Sequence, residues 1–188
     1  PGGDLYKSLF YKGKEKDLNY YMHSCDTRKN PLLRYILGIY LTDSSALNPF
    51  YEFIDSEYNK ENNDYYTFPL KNGNNIKVPV PSEEDRKIYR TELTDLILPY
   101  MLNYPEDKTL PFHEGPYEYN GVLLHKGDTV FDLGANFGMF SAYASAKDCN
   151  VYAFEPTKET IDRYLSKTAL INPNITISDY AVSDDDGF

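Results

Sequence analysis

Two carboxylates and a pair of glycines in the last third of the chain have the types and spacing for ligand chemistry. Asp132 stands two residues before the first glycine of Asp132-Leu133-Gly134-Ala135-Asn136-Phe137-Gly138. Glu155 closes the run Val151-Tyr152-Ala153-Phe154-Glu155, about twenty residues beyond Gly134. Glycines lack a Cβ, so the backbone at Gly134 and Gly138 can turn tightly and a ligand can approach it closely. A dinucleotide fingerprint needs G-x-G-x-x-G, which seats pyrophosphate on a helix N-terminus. Here only G-x-x-x-G is present, and Asp132 would repel phosphate.

What these residues can hold is different. A carboxylate beside the loop can bind a cationic amine directly or through water. A carboxylate at the end of the next strand can accept both ribose hydroxyls of an adenosine. An amine and a ribose without phosphate describe S-adenosylmethionine. Simpler roles stand beside these: Asp132 as a turn cap, and Glu155 as a solvated strand end before the rigid Pro156. Asn136 occupies a place where many such loops carry another glycine. Asparagine tolerates left-handed backbone angles, and its amide can hydrogen-bond a carboxylate or the loop itself.

The surrounding elements must position these groups. Thr129 to Leu133 is β-prone, residues 138 to 147 are small and helix-compatible, and Val151 to Glu155 is a second strand. Ile161, Tyr164, Leu165 and Thr168 fall at helical spacing, and Ile175 to Val182 is a third strand. Strand-helix-strand-helix-strand with short joins predicts an α/β fold, a Rossmann-like parallel sheet. No repeat interrupts it.

Upstream, residues 1–64 read as a helical module. Prolines open helices at Pro31-Leu32-Leu33 and at Asn48-Pro49-Phe50, and 59–64 is a polar break. Residues 65–112 read as a connecting region. Tyr65 to Leu70 and Ile76 to Val80 flank Asn72-Gly73, a hairpin signal, with prolines that suit edge strands. Ser82 caps a helix whose first turn holds Glu83, Glu84 and Asp85 and whose apolar face is Tyr89, Leu93, Leu96 and Ile97. Residues 113–188 are the ligand-binding unit.

Composition narrows the class. The 188 residues carry 19 Lys and Arg against 29 Asp and Glu, a net charge of −10 with no basic run, which argues against nucleic-acid binding. With 19 Tyr and 10 Phe the chain has ample apolar and amphipathic rings for a core or a cleft. No apolar run has membrane-spanning length and no secretory leader opens the chain, so no membrane association is expected. Cys25 and Cys149 make no disulfide framework and read as reduced thiols of a cytoplasmic protein. The sequon at Asn174-Ile175-Thr176 reads as chance.

Other candidates carry less chemistry. His23, Cys25 and Asp26 lack further ligands at workable spacing for a metal. His113 and His125 flank the entry to the last unit, and either could deprotonate an acceptor, although a solvated loop histidine is the simpler reading. Asp184 to Asp186 read as a surface turn.

The three runs Val130 to Phe140, Val151 to Pro156 and Asn174 to Gly187 resemble the opening motifs of the FkbM-type S-adenosylmethionine-dependent methyltransferases. The lead-in from Gly115-Pro116-Tyr117-Glu118 through Lys126-Gly127-Asp128 fits that family too. The resemblance implies that Asp132, Gly134, Ala135, Asn136, Phe137 and Gly138 surround the methionine end of S-adenosylmethionine. It places Glu155 on the ribose, Pro156 beside the adenine, and Tyr180 and Ala181 along the adenine edge. It implies methyl transfer to a hydroxyl of a sugar or natural product, so a small-molecule or glycan acceptor is the expected partner. The family's later Asp-x-Glu-Gly segment is not in this sequence. We therefore expect a fragment of a longer enzyme that does not turn over alone. The rival readings are a nicotinamide-dependent oxidoreductase and a non-catalytic interaction module on a degenerate methyltransferase fold.

Overall fold

The computed structural model describes residues 51, 54–55, 58, 64–70, 73–90, 92–93, 117–118 and 121–184. The expected helices before residue 50, the break at 59–63, Leu96, Ile97, His23, Cys25, His113, Asp185 and Asp186 lie outside them.

Strands β3 (Thr129–Leu133), β4 (Asn150–Phe154) and β5 (Ile175–Ser178) form a parallel sheet in the order β3-β4-β5. Asp132 pairs with Ala153 and Leu133 with Phe154, so β3 and β4 end level. The strand residues alternate as the pleat demands: Val130, Asp132, Val151 and Ala153 are buried on one face, while Phe131, Leu133 and Tyr152 are exposed on the other. The helices cover the first face. Helix α1 is Met139–Ala146, opening at Gly138. Helix α2 runs without interruption through Lys158–Thr160, a wider π turn at Ile161–Leu165, and Ser166–Ile171. The fold is thus the α/β, Rossmann-like arrangement that the strand-helix rhythm predicts.

The third strand is shorter than the expected run to Val182. Its partner β4 stops at Phe154, and the Glu155 N–H takes the Ser178 carbonyl at 3.0 Å. Among the described residues β4 offers no further strand to pair with, and residues 179–184 are not in strand conformation. Tyr180 and Ala181 therefore follow the strand rather than belong to it.

The hairpin forms where Asn72-Gly73 placed it: β1 (Tyr65–Pro69) pairs antiparallel with β2 (Asn75–Pro79), and Gly73 adopts φ 89°. Tyr66, Phe68, Ile76 and Val78 point inward and join Phe137, Met139, Ala142, Tyr143, Ala146 and Tyr164 in one core. The hairpin lies across α1 and α2 and is pinned to each. Asn74 Nδ2 donates to the Ala146 carbonyl at 2.8 Å, and Asn172 Nδ2 donates to the Lys77 carbonyl at 2.9 Å. Near the far end of α1, Glu118 accepts hydrogen bonds from Tyr143, Lys147 and the Leu124 N–H, which straps the approach to β3 onto the helix.

Ser82 caps as expected, accepting the Asp85 N–H at 3.3 Å and donating to Asp85 Oδ2 at 2.6 Å. The chain turns at 83–85 and is helical over 86–90, with Tyr89 and Leu93 buried. Asp85 is buried instead of facing water near the helix start. Arg163 and Tyr164 of α2 both donate to its Oδ1.

Candidate functional site

Where β3 ends, the chain must reverse into α1 within five residues, and three left-handed positions accomplish it. Gly134 has φ 80°, Asn136 φ 50° and Gly138 φ 78°. The two glycines are required for different reasons. A Cβ on Gly134 would meet nothing within 4 Å, so only its backbone angle calls for glycine. A Cβ on Gly138 would lie 2.7 Å from Leu165 Cδ1, so here glycine lets α1 approach α2. Asn136 supplies the middle left-handed residue, and its side-chain Nδ2 lies 3.4 Å from Glu92 Oε1.

The loop folds back onto the end of β4. The N–H groups of Gly134 and Ala135 both donate to the Phe154 carbonyl at 2.9 Å, and that of Gly138 donates to Ala135. The Asn136 N–H donates to Glu155 Oε2 at 3.0 Å, and the Thr157 N–H donates to Oε1 at 2.9 Å. Glu155 is buried, 7% exposed, and held at the carboxyl end of β4 by one backbone donor on each oxygen. A carboxylate oxygen has lone pairs to spare after one such bond, so both remain able to accept hydroxyls.

Asp132 takes a different environment from the one its place beside the loop suggests. Its side chain points to the helix face of the sheet and Oδ2 accepts the Ser141 hydroxyl at 2.6 Å. Burial pushes its carboxyl above the usual carboxylate range. The Ser141 hydrogen bonds work against that shift, and the charge of Glu155 adds to it. Asp132 thus braces the start of α1 against the end of β3 and is not on the cleft.

Above the strand ends lies an open cleft of about 270 Å³, lined by Leu133, Gly134, Phe154, Pro156, Tyr180, Ala181 and Val182. It joins residues that follow all three strands, the region where open parallel sheets take ligands. Of the expected site residues, Gly134, Pro156, Tyr180 and Ala181 line it, while Glu155 and the Asn136 N–H are bonded to each other and Ala135 and Phe137 are buried. Phe137 stacks on Tyr164 with ring centroids 3.9 Å apart and planes at 14°. His125 lies exposed before β3, 3.5 Å from Asp128, at the opposite end of the strand from the cleft. With a strand of five residues between them, that is about 16 Å away.

Sequence reasoning missed Ser141, Thr157, Glu92 and Tyr164 as neighbours of the site. Ser141 had a signal, a hydroxyl in the first turn of the helix that follows the loop. The rest depend on where the chain returns in space. Among the described residues no helix is long and apolar enough to cross a membrane.

No family model matches the chain. Over 47 residues, 24% of this chain, it is 47% identical to the 31-O-demethyl-FK506 methyltransferase FkbM of Streptomyces tacrolimicus. That match spans 18% of the relative's length. A solved structure from Pyrococcus horikoshii, described as a candidate transferase, aligns at 12% identity with a TM-score of 0.32, covering 63% of this chain and 37% of that one. The chain thus carries a short stretch similar to a methyltransferase on an α/β fold.

Proposed function

We propose that the loop 134–138 and Glu155 bind S-adenosylmethionine, and that the protein built on this chain is a methyltransferase acting on a hydroxyl of a sugar or natural product. The supporting observation is how the loop spends its donors. Pyrophosphate binding requires backbone N–H groups aimed outward at the ligand, and those of Gly134, Ala135, Asn136 and Gly138 all have acceptors inside the protein. A nicotinamide dinucleotide would bring its phosphates to a loop without those donors and beside a carboxylate. An adenosine without phosphate meets no such penalty.

In this reading Glu155 accepts the ribose hydroxyls, Pro156 and the segment at Tyr180 and Ala181 flank the adenine, and the loop faces the methionine end. Asp132 acts through the loop, by fixing the start of α1. The bound cofactor supplies a methyl group already activated on a sulfonium. The protein's own work is to hold that end and the acceptor hydroxyl in line, since orientation supplies much of the rate in such transfers. The short match to a methyltransferase agrees with this reading. A cytoplasmic setting suits the free, buried Cys149.

Calorimetry tests the reading directly. S-adenosylhomocysteine is expected to bind with Glu155→Gln weakening it about tenfold or more, the scale of a lost charge-assisted hydrogen bond. Binding of NADH in its place would overturn the proposal.

A further inference from the structure

The segment 82–93 is remote in sequence from the loop, yet it ends against it. Phe137, in the loop, packs in one ring cluster with two tyrosines from different elements. Tyr164 of α2 stacks on it at 3.9 Å, and Tyr89 of the 82–93 segment meets it at 5.0 Å and 55°. Tyr89 and Tyr164 also touch edge-on, with centroids 5.7 Å apart. The Tyr164 hydroxyl donates to Asp85 Oδ1 at 3.0 Å, so the stacked ring is tied to the same segment that supplies Tyr89. The Phe137 carbonyl accepts the Thr168 hydroxyl at 2.8 Å.

A non-glycine residue at positive φ persists only where its surroundings over-determine it. Asn136 is such a residue, and the contacts on Phe137 are what hold its following neighbour. The π turn of α2 serves the same end: its wider winding lets the consecutive residues Tyr164 and Leu165 both face the loop, one on Phe137 and one against Gly138.

We propose that Tyr164, anchored by Asp85, is a positioning residue for the loop: with Tyr89 it grips Phe137 and so keeps the Asn136 N–H on Glu155. The inference rests on the cofactor reading for its consequence in binding, but its structural half can be read without any ligand. The ring does the gripping and the hydroxyl steers the ring. Removing the ring should therefore free the loop, and removing the hydroxyl alone should do much less.

The test compares Tyr164→Leu with Tyr164→Phe in this chain, using amide hydrogen exchange over residues 134–138 and calorimetry with S-adenosylhomocysteine. Tyr164→Leu is expected to quicken exchange in the loop while β4 amides keep their protection, and to weaken binding about tenfold, the size of a lost aromatic contact. Tyr164→Phe is expected to restore binding to within about threefold of the parent, since the ring that meets Phe137 stays and only its tie to the Asp85 carboxylate is gone. If Tyr164→Leu does not fold, Tyr89→Leu, which removes the other ring against Phe137, carries the same expectations. A folded variant with unchanged loop exchange and unchanged affinity overturns the proposal. Quickened loop exchange in a chain whose parent binds no S-adenosylhomocysteine upholds the positioning role and overturns the cofactor reading instead.

Discussion

Gly134 and Gly138 share a left-handed conformation and differ in everything around it, so the same substitution should fail differently at each. Alanine at Gly138 adds a Cβ 2.7 Å from Leu165 to the backbone strain, and should cost about 2–4 kcal/mol. Alanine at Gly134 meets open space and should cost about 1–2 kcal/mol from the backbone alone, while its methyl intrudes on the cleft. Urea denaturation beside S-adenosylhomocysteine titration separates them: Gly138→Ala should show chiefly as lost stability and Gly134→Ala chiefly as lost affinity. Equal stability losses would contradict the packing described. Asp132 offers a second test at this scale. Its folded-state carboxyl titrates above the ordinary range because it is buried, so the folded chain holds that proton more tightly than the unfolded one. Stability therefore declines as pH rises from about 4 through the raised value. Asp132→Asn, which cannot ionise, should gain on the parent over that window and match it most closely in acid. A gap that widens toward low pH would show the sign to be wrong.

At the scale of elements, the join between the 82–93 segment and α2 is an acid-sensitive contact of the opposite sign. Burial alone would raise the Asp85 carboxyl, but hydrogen bonds from Ser82, Tyr164 and Arg163 outweigh it and hold the group below the usual carboxylate range. The stability it contributes is present above about pH 4 and is lost as pH falls through the lowered value. Asp85→Asn should cost about 1–3 kcal/mol at neutral pH, with the deficit shrinking on acidification; a deficit independent of pH would place the stabilisation elsewhere. Elements of this kind were legible in the sequence wherever one local pattern decided them. Val130 and Asp132, or Val151 and Ala153, alternate with the pleat, and Asn72-Gly73 marks its hairpin. The loop was legible because Gly134, Asn136 and Gly138 are the residue types that a left-handed turn demands. What could not be read was contact across distance: Asp85 reaching Tyr164, the π turn that aims Tyr164 and Leu165 together, and the turning of Asp132 toward Ser141. The end of β5 was misjudged for the same reason, since β-propensity continues to Val182 while its partner strand does not.

Over the whole described molecule the two faces of the sheet differ. One is sealed by α1 and α2, with the hairpin laid over them. The other shows Phe131 at 61%, Leu133 at 59% and Tyr152 at 42% exposure, with the Phe131 and Tyr152 rings stacked 5.7 Å apart. Parallel sheets are ordinarily covered on both faces, and an aromatic patch left open binds other apolar surfaces. Phe131→Thr should lower the binding of a hydrophobic fluorescent dye and reduce self-association in sedimentation, while changing stability by no more than about 0.5 kcal/mol, as expected of a surface position. Undiminished dye binding would mean that the patch is not where the apolar surface lies.

The inward donors of the loop bear on competition among metabolites. On the cofactor proposal the cleft takes an adenosine, which ATP and the nicotinamide dinucleotides also carry, so the adenosine alone would not tell them from a phosphate-free ligand. Discrimination falls to the neighbouring backbone, whose polar hydrogens are already engaged by Phe154, Ala135 and Glu155. A triphosphate entering there would give up its hydration and receive no donors in exchange from those groups. The pocket would thus select less by what it offers the right guest than by what it withholds from the wrong ones.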